Sequence, residues 1–224
     1  MKYNADLTQP ASCNIHDLAW EATASPGVHR RRLEQDDDHA PVERVTTVVR
    51  FAAGSAFHSH THAGGEEFLV LDGVFSDQYG DFPAGYYVRN PKGTAHAPHT
   101  DQGCTLWVKL WQMQPDDQQS VAIDTNDASL WQPNADGSHQ LILFDADYES
   151  VRMLRWQAGY ELARTFSGGV EYYVLQGQFH DNDATYTAGS WLRLPTGSQQ
   201  TLCVDADCVV LRKTGHLRHP VTYV

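Results

Sequence analysis

The feature that most constrains this chain is that it is written twice. Shifted by 104 residues, Gly64-Gly65-Glu66-Glu67-Phe68-Leu69-Val70-Leu71-Asp72-Gly73 falls on Gly168-Gly169-Val170-Glu171-Tyr172-Tyr173-Val174-Leu175-Gln176-Gly177. The same shift lays Phe75 on Phe179, Asp77 on Asp181, Ala84-Gly85 on Ala188-Gly189 and Arg89 on Arg193. It also lays Pro91 on Pro195, Gly93 on Gly197, Cys104 on Cys208 and Lys109 on Lys213. Upstream, with a small slip, Leu18-Ala19-Trp20 resembles Ser129-Leu130-Trp131, and Gly27-Val28-His29 resembles Gly137-Ser138-His139. Self-similarity at one fixed offset means two copies of one structural unit. The expected division is 1–118 and 119–224, with the join in the polar stretch from Pro115 to Asp127.

Each copy reads as β. Apolar residues at helical spacing are scarce, whereas short alternating or apolar runs bounded by Gly, Pro, Asp and Asn recur throughout. In the first copy the expected strands are Val45–Phe51, Glu67–Asp72, Tyr86–Arg89 and Thr105–Leu110. In the second they are Gln140–Phe144, Val151–Trp156, Glu171–Gln176, Ser190–Leu194 and Cys208–Lys213. Many short strands with frequent turns imply an all-β sandwich or barrel.

Charge narrows the partners. Twenty-eight acidic against 16 basic residues give a formal net charge of −12. That argues against general binding to nucleic acid or to anionic membranes, both of which need a positive surface. No run of about eighteen apolar residues exists, so no transmembrane helix is expected, and the opening Met1-Lys2-Tyr3-Asn4-Ala5-Asp6 lacks a signal-peptide core. The four cysteines form no CxxC pair; free thiols in a reducing cytoplasm are the expectation.

Chemistry concentrates in His58-Ser59-His60-Thr61-His62-Ala63-Gly64-Gly65-Glu66-Glu67. Imidazole nitrogens and carboxylate oxygens are the usual protein ligands of zinc, iron, manganese and nickel. Residues two apart in a strand point to one side, so His60 and His62 can reach one ion together. Gly64-Gly65 can turn the backbone and bring Glu66 to it. By parity His58 shares that face, as a further imidazole, a supporting donor or an exposed loop residue.

The spacing then resembles a known family. Gly54, His60-x-His62, Glu66 and Gly73 stand at the intervals of the first cupin motif, and Gly85, Pro91-x-Gly93 and His96 at those of the second, whose customary final Asn is Thr100 here. The resemblance implies an all-β fold of two tandem cupin (double-stranded β-helix, jelly-roll) barrels. It also implies one divalent metal ion in the first barrel, held by His60, His62, Glu66 and His96, with zinc or iron ahead of manganese or nickel. More narrowly, Phe57 to Asp77, Phe82 to Pro91 and Gly103 to Leu110 look like the ChrR-like branch of cupins. That branch includes a zinc-binding anti-sigma factor responding to singlet oxygen and iron-dependent dioxygenases of small oxygenated carbon compounds. The anti-sigma factor's N-terminal His-Cys-Cys zinc motif has no counterpart here, since Cys13 and His16 stand as Cys-Asn-Ile-His.

Two readings follow for function. One is a regulatory or oxidative-stress-sensing metal protein of the anti-sigma-like kind, with a sigma-factor-like protein partner. The other is a metal-dependent dioxygenase with a small-molecule substrate. A cytoplasmic location and a homodimer are further expectations. Tyr87, Trp107 and Phe51 are expected either to line the pocket around the metal or to be plain core. Glu67 is expected to face away from Glu66 in a structural ion pair, Arg50 and Lys109 to be solvated, His99 to be exposed, and Asp36-Asp37-Asp38 to form a solvated loop. In the second copy the four ligands become Arg164, Phe166, Val170 and Gln200. This barrel should bind no metal; it should be packed, or hold an organic ligand.

Overall fold

The computed structural model describes residues 2–39 and 42–221, the side chains of residues 37–39, 42 and 43 excepted. It is almost all β, with two single-turn 3-10 helices, Ile15–Asp17 and Ala128–Leu130, among the described residues. No helix there is long and apolar enough to cross a membrane. All nine sequence-based strands are present, several of them longer than the apolar runs suggest.

The chain forms two compact units, each built on one antiparallel sheet. The first comprises Leu18–Asn126 together with a short N-terminal piece; the second comprises Asp127–Pro220 and also Asp6–Asp17. Asp6–Asp17 therefore pack with the second unit, although a division at 118/119 would put them in the first. The reason is a strand pairing: Ala11–Asn14 runs antiparallel to Ser190–Leu194, with Cys13 opposite Trp191.

In the first unit Cys104–Leu110 lies between Val42–Phe51 and Glu66–Asp77, and Tyr86–Asn90 lies beyond Glu66–Asp77. Alternation puts Phe68, Val70, Val88, Leu106 and Val108 into one apolar cluster with Val28, Phe51, Phe75 and Cys104. In the second unit Ser198–Thr214 lies between Ser150–Trp156 and Val170–Asp181. Its cluster holds the corresponding Tyr172, Val174, Leu192 and Val210, with Trp156, Phe166 and Phe179. The repeat is kept where the backbone allows nothing else. A Cβ on Gly73 would lie 2.1 Å from the Gly103 carbonyl oxygen, and one on Gly177 2.0 Å from that of Asp207. Both glycines also have positive φ, at 75° and 70°. The slipped upstream repeat is structural too: Arg50 stacks 4.4 Å from the Trp20 ring and Arg155 3.7 Å from that of Trp131.

Two expectations fail. Lys109 is not solvated: it is 1% exposed and donates to Thr46 Oγ1 at 2.9 Å, while Lys213 is paired at 3.0 Å with Glu149. The sheet face opposite the apolar cluster is itself covered, so parity alone could not place Lys109 in water. Asp36-Asp37-Asp38 is not a loop, because the strand Val28–His39 runs through it. Asp36 lies 3.8 Å from the Arg44 guanidinium, which offsets its charge, while the side chains of Asp37 and Asp38 lie outside the described residues.

Candidate metal centre

Three segments converge at one end of the first unit. His60–Thr61 pairs antiparallel with Ala95–His96, and the register sets His96 directly opposite His60. The pairing continues as His62 N–H donates to the Thr94 carbonyl at 2.8 Å and Gly93 N–H to that of His62 at 2.9 Å. His62, two residues on, returns to the side of His60. The chain then turns at Gly65, with φ of 77°, so that Glu66 opens the strand Glu66–Asp77. Neither glycine of this turn has room for a side chain: a Cβ on Gly64 would stand 2.3 Å from the Trp111 ring, and one on Gly65 2.6 Å from Met113 Sδ.

The result is a tight donor set. One ligand atom each from His60, His62, Glu66 and His96 lies within 4.8 Å of every other. Glu66 Oε2 sits 3.3 Å from His62 Nε2 and 3.5 Å from His96 Nε2. Yet both of these buried nitrogens lack a hydrogen-bond partner. Buried polar atoms without partners are rare and costly. Here they aim lone pairs at the point where Glu66 aims its own.

The outer nitrogens explain why. His62 Nδ1 lies 2.9 Å from Thr94 Oγ1, whose only proton goes to the Pro91 carbonyl at 2.7 Å. Thr94 can therefore only accept, so Nδ1 carries the proton and Nε2 is left bare. His96 Nδ1 is 3.1 Å from Asp77 Oδ2, a carboxyl oxygen whose acceptance of the Nδ1 proton favours the same tautomer. His60 Nδ1 lies 3.3 Å from the His58 carbonyl, and Asn90 Nδ2 donates to Glu66 Oε2 at 3.1 Å. Gln78 braces the His96 strand, bonding the Ala95 carbonyl and the Ala97 N–H at 2.9 Å each. Burial, with the neighbouring His96 and His60 in support, pushes His62 down to about 3. Burial likewise lowers His96, opposed by Asp77. It pushes Glu66 up to about 7 against the Asn90 hydrogen bond, with Asp77 adding to the rise. Neutral imidazoles beside a desolvated carboxyl are what a cation in their midst would stabilise. The donor set thus fits a divalent metal: three imidazole nitrogens and one carboxylate oxygen, each oriented by a partner.

The remaining sequence-based candidates separate. The His58 ring is exposed, and its carbonyl is what reaches His60. Tyr87 and Trp107 are buried but stand on the sheet face away from the cluster; they are register partners of Leu69, one position out of phase with Phe68. Neither lines the centre. Tyr87 instead donates to Glu67 Oε1 at 2.9 Å, and Glu67 lies 3.6 Å from Arg89, the structural role expected of it. Phe51 does belong to the adjoining core, edge-on to Phe57 and Phe75. Thr94, Asp77 and Asn90 carry no ligand spacing and were not singled out from the sequence. One of them left a trace there: Asp77 repeats as Asp181, which accepts from Gln200 Nε2 at 3.3 Å just as Asp77 holds His96. At the positions of His62 and Glu66, Phe166 and Val170 are packed into the second unit's apolar cluster, as expected.

The model of the ChrR cupin-like domain matches residues 8–114 and again 118–218. No curated protein matches the chain by sequence. Among solved structures, a candidate dioxygenase from Nostoc punctiforme aligns at 14% identity with a TM-score of 0.74, over 97% of this chain and 87% of its own. The nickel(II) complex of the Escherichia coli pirin YhhW aligns at 13% identity and TM-score 0.66, over 92% and 98%. A cupin 2 conserved barrel domain protein from Leptotrichia buccalis gives 10% identity and TM-score 0.64, over 95% and 100%. At these identities the likeness is one of fold: two cupin barrels in tandem.

Proposed function

The chain belongs to the ChrR cupin-like family, and on that premise we propose that its first unit holds one divalent metal ion through His60, His62, Glu66 and His96 and uses it as a dioxygenase of small oxygenated carbon compounds. The observation that carries the metal is the pair of buried, partnerless nitrogens, His62 Nε2 and His96 Nε2, facing Glu66. Four protein donors leave room for further ligands on an ion that takes five or six. His60 is exposed while His62 and His96 are buried, so the cluster is open to solvent on the His60 side. A bound metal would supply a redox centre or Lewis acid there. The protein's own part is to fix the tautomers through Thr94 and Asp77, to hold Glu66 through Asn90, and to back the site with the apolar Phe51, Phe57 and Phe75. The nickel-bound pirin and the candidate dioxygenase among the structural relatives agree with this reading.

A second reading comes from the family's anti-sigma namesake: oxidation at the metal or its ligands would alter a contact with a protein partner. Metal analysis and oxygen uptake separate the two. Bound iron with oxygen consumption on a panel of β-diketones and hydroxyketones is expected. Bound zinc with no uptake on the whole panel would sink the dioxygenase. His60→Ala and His96→Ala should each strip most of the metal, while Arg164→Ala should leave it unchanged; wild-type stoichiometry in His96→Ala would refute the site.

A further inference from the structure

The second barrel lost the metal ligands, but its interior did not become simply apolar. In the first unit the register sets Thr47, Val108 and Phe68 side by side on three neighbouring strands. The matching row in the second unit is Arg152, Arg212 and Tyr172. Two arginines directly opposite each other repel, and only one of them is neutralised. Arg152 donates to Ser150 Oγ at 2.9 Å, to Asp145 Oδ2 at 3.0 Å and to Gln140 Oε1. Among the described residues no carboxylate and no hydrogen-bond acceptor pairs with Arg212. Next to it the Tyr172 hydroxyl, in a side chain with no exposed surface, also lacks a hydrogen-bond partner.

Arg212, Arg152 and Arg164 border a cavity of about 300 Å³ within this unit. Its apolar side is Leu154, Leu162 and Trp156, the last stacked on Tyr160 with ring centroids 5.5 Å apart and planes 9° from parallel. The one carboxylate on the wall, Asp136, is already engaged by Tyr160 Oη at 2.9 Å and Ser138 Oγ at 2.6 Å. A half-buried guanidinium with no internal counter-charge is unfavourable for folding alone, and partial burial with the two neighbouring arginines pulls the Arg212 pKa down.

We propose that the second barrel is a binding site for a small organic carboxylate, with Arg212, flanked by Arg164, receiving the carboxylate head and Leu154, Leu162 and Trp156 the apolar body. The planar guanidinium fork suits a carboxylate, and the volume suits a ligand of about the smallest usual size. The inference stands apart from the metal centre.

Calorimetric titration of the full chain with acetate, benzoate, succinate and inorganic phosphate tests it. Saturable binding of benzoate, one per chain, is expected, weakened about tenfold or more by Arg212→Met and unaffected by His96→Ala. Without ligand, Arg212→Met should melt no lower than wild type, because it removes a half-buried charge with no counter-charge among the described residues; a purely structural arginine would give a lower melting point. Arg164→Met changes an exposed position on the cavity wall and should weaken binding in the same direction, so the test survives should Arg212→Met not fold. No saturable binding of any carboxylate at millimolar concentration overturns the proposal, as does binding unchanged in both variants. Phosphate bound more tightly than every carboxylate would overturn the organic-acid assignment.

Discussion

A histidine offers its Nε2 lone pair dependably only when its Nδ1 proton is engaged elsewhere, and each imidazole of the centre has such an engagement. For His62 the partner is Thr94 Oγ1, itself locked as an acceptor by the Pro91 carbonyl. Thr94→Val keeps the shape and removes the acceptor, so the ring is free to take the wrong tautomer or rotate. Metal affinity should fall about 10–100-fold with the fold intact, as read by competition with a chromophoric chelator. An unchanged affinity would show that the Thr94 hydroxyl does not orient the ligand. The four candidate ligands were legible in the sequence because motif spacing brings them out, and the fold does bring them together. Their supports were not, because Asp77, Asn90 and Thr94 come from three other places in the chain and any hydrogen-bonding residue can serve. Asp77 alone could have been found, through its repetition as Asp181.

At the scale of elements, the two copies differ most in one strand. The second unit runs Ser198–Thr214 without a break, whereas the first divides the matching stretch into Ala95–His96, His99–Thr100 and Cys104–Leu110. Pro98, which has no N–H for a ladder, stands where the second copy has Leu202. The interruption belongs to the copy that keeps the ligands. Strand positions were legible from alternation, since one face of each sheet is an apolar core. The charge of the other face was misread: Lys109 and Lys213 alternate with core residues, which for a single sheet would mean solvent, yet both are buried. Lys213 and Glu149 have side chains only 2% and 1% exposed. Removing one member of a buried pair strands the other, so Glu149→Ala should cost about 3–5 kcal/mol in urea unfolding. The double change Glu149→Leu with Lys213→Met, which leaves neither member of the pair behind, should recover most of that loss. Additive losses in the pair would mean that the ion pair is not the coupled unit.

For the molecule as a whole, the question is which groups can respond to oxidants or to metal. Three of the four thiols are poor candidates. All four cysteines are free, but burial pushes Cys104 up to about 11 and Cys208 to about 12, and burial with Asp17 nearby pushes Cys13 to about 11. The thiolate is the reactive form, so at pH 8 the native protein should leave these three slow to react with a disulfide reagent and fast after unfolding. Rapid native reaction at Cys104 would reopen a thiol-based sensor. Cys203 apart, any response is expected at the candidate metal centre, and it should be visible in stability. These residues join segments that share few hydrogen bonds, His60–Thr61 with Ala95–His96 and the start of Glu66–Asp77, and His62 Nε2 and His96 Nε2 face Glu66 without hydrogen-bond partners. A cation that binds only the folded arrangement stabilises it by mass action, about 2.7 kcal/mol at a hundredfold excess over Kd. Chelation should therefore lower the melting temperature of wild type, and adding back the metal should restore it. His96→Ala should melt alike with and without metal, while Arg164→Ala should keep the full metal-dependent rise. A rise of wild-type size in His96→Ala would move the ion away from this cluster.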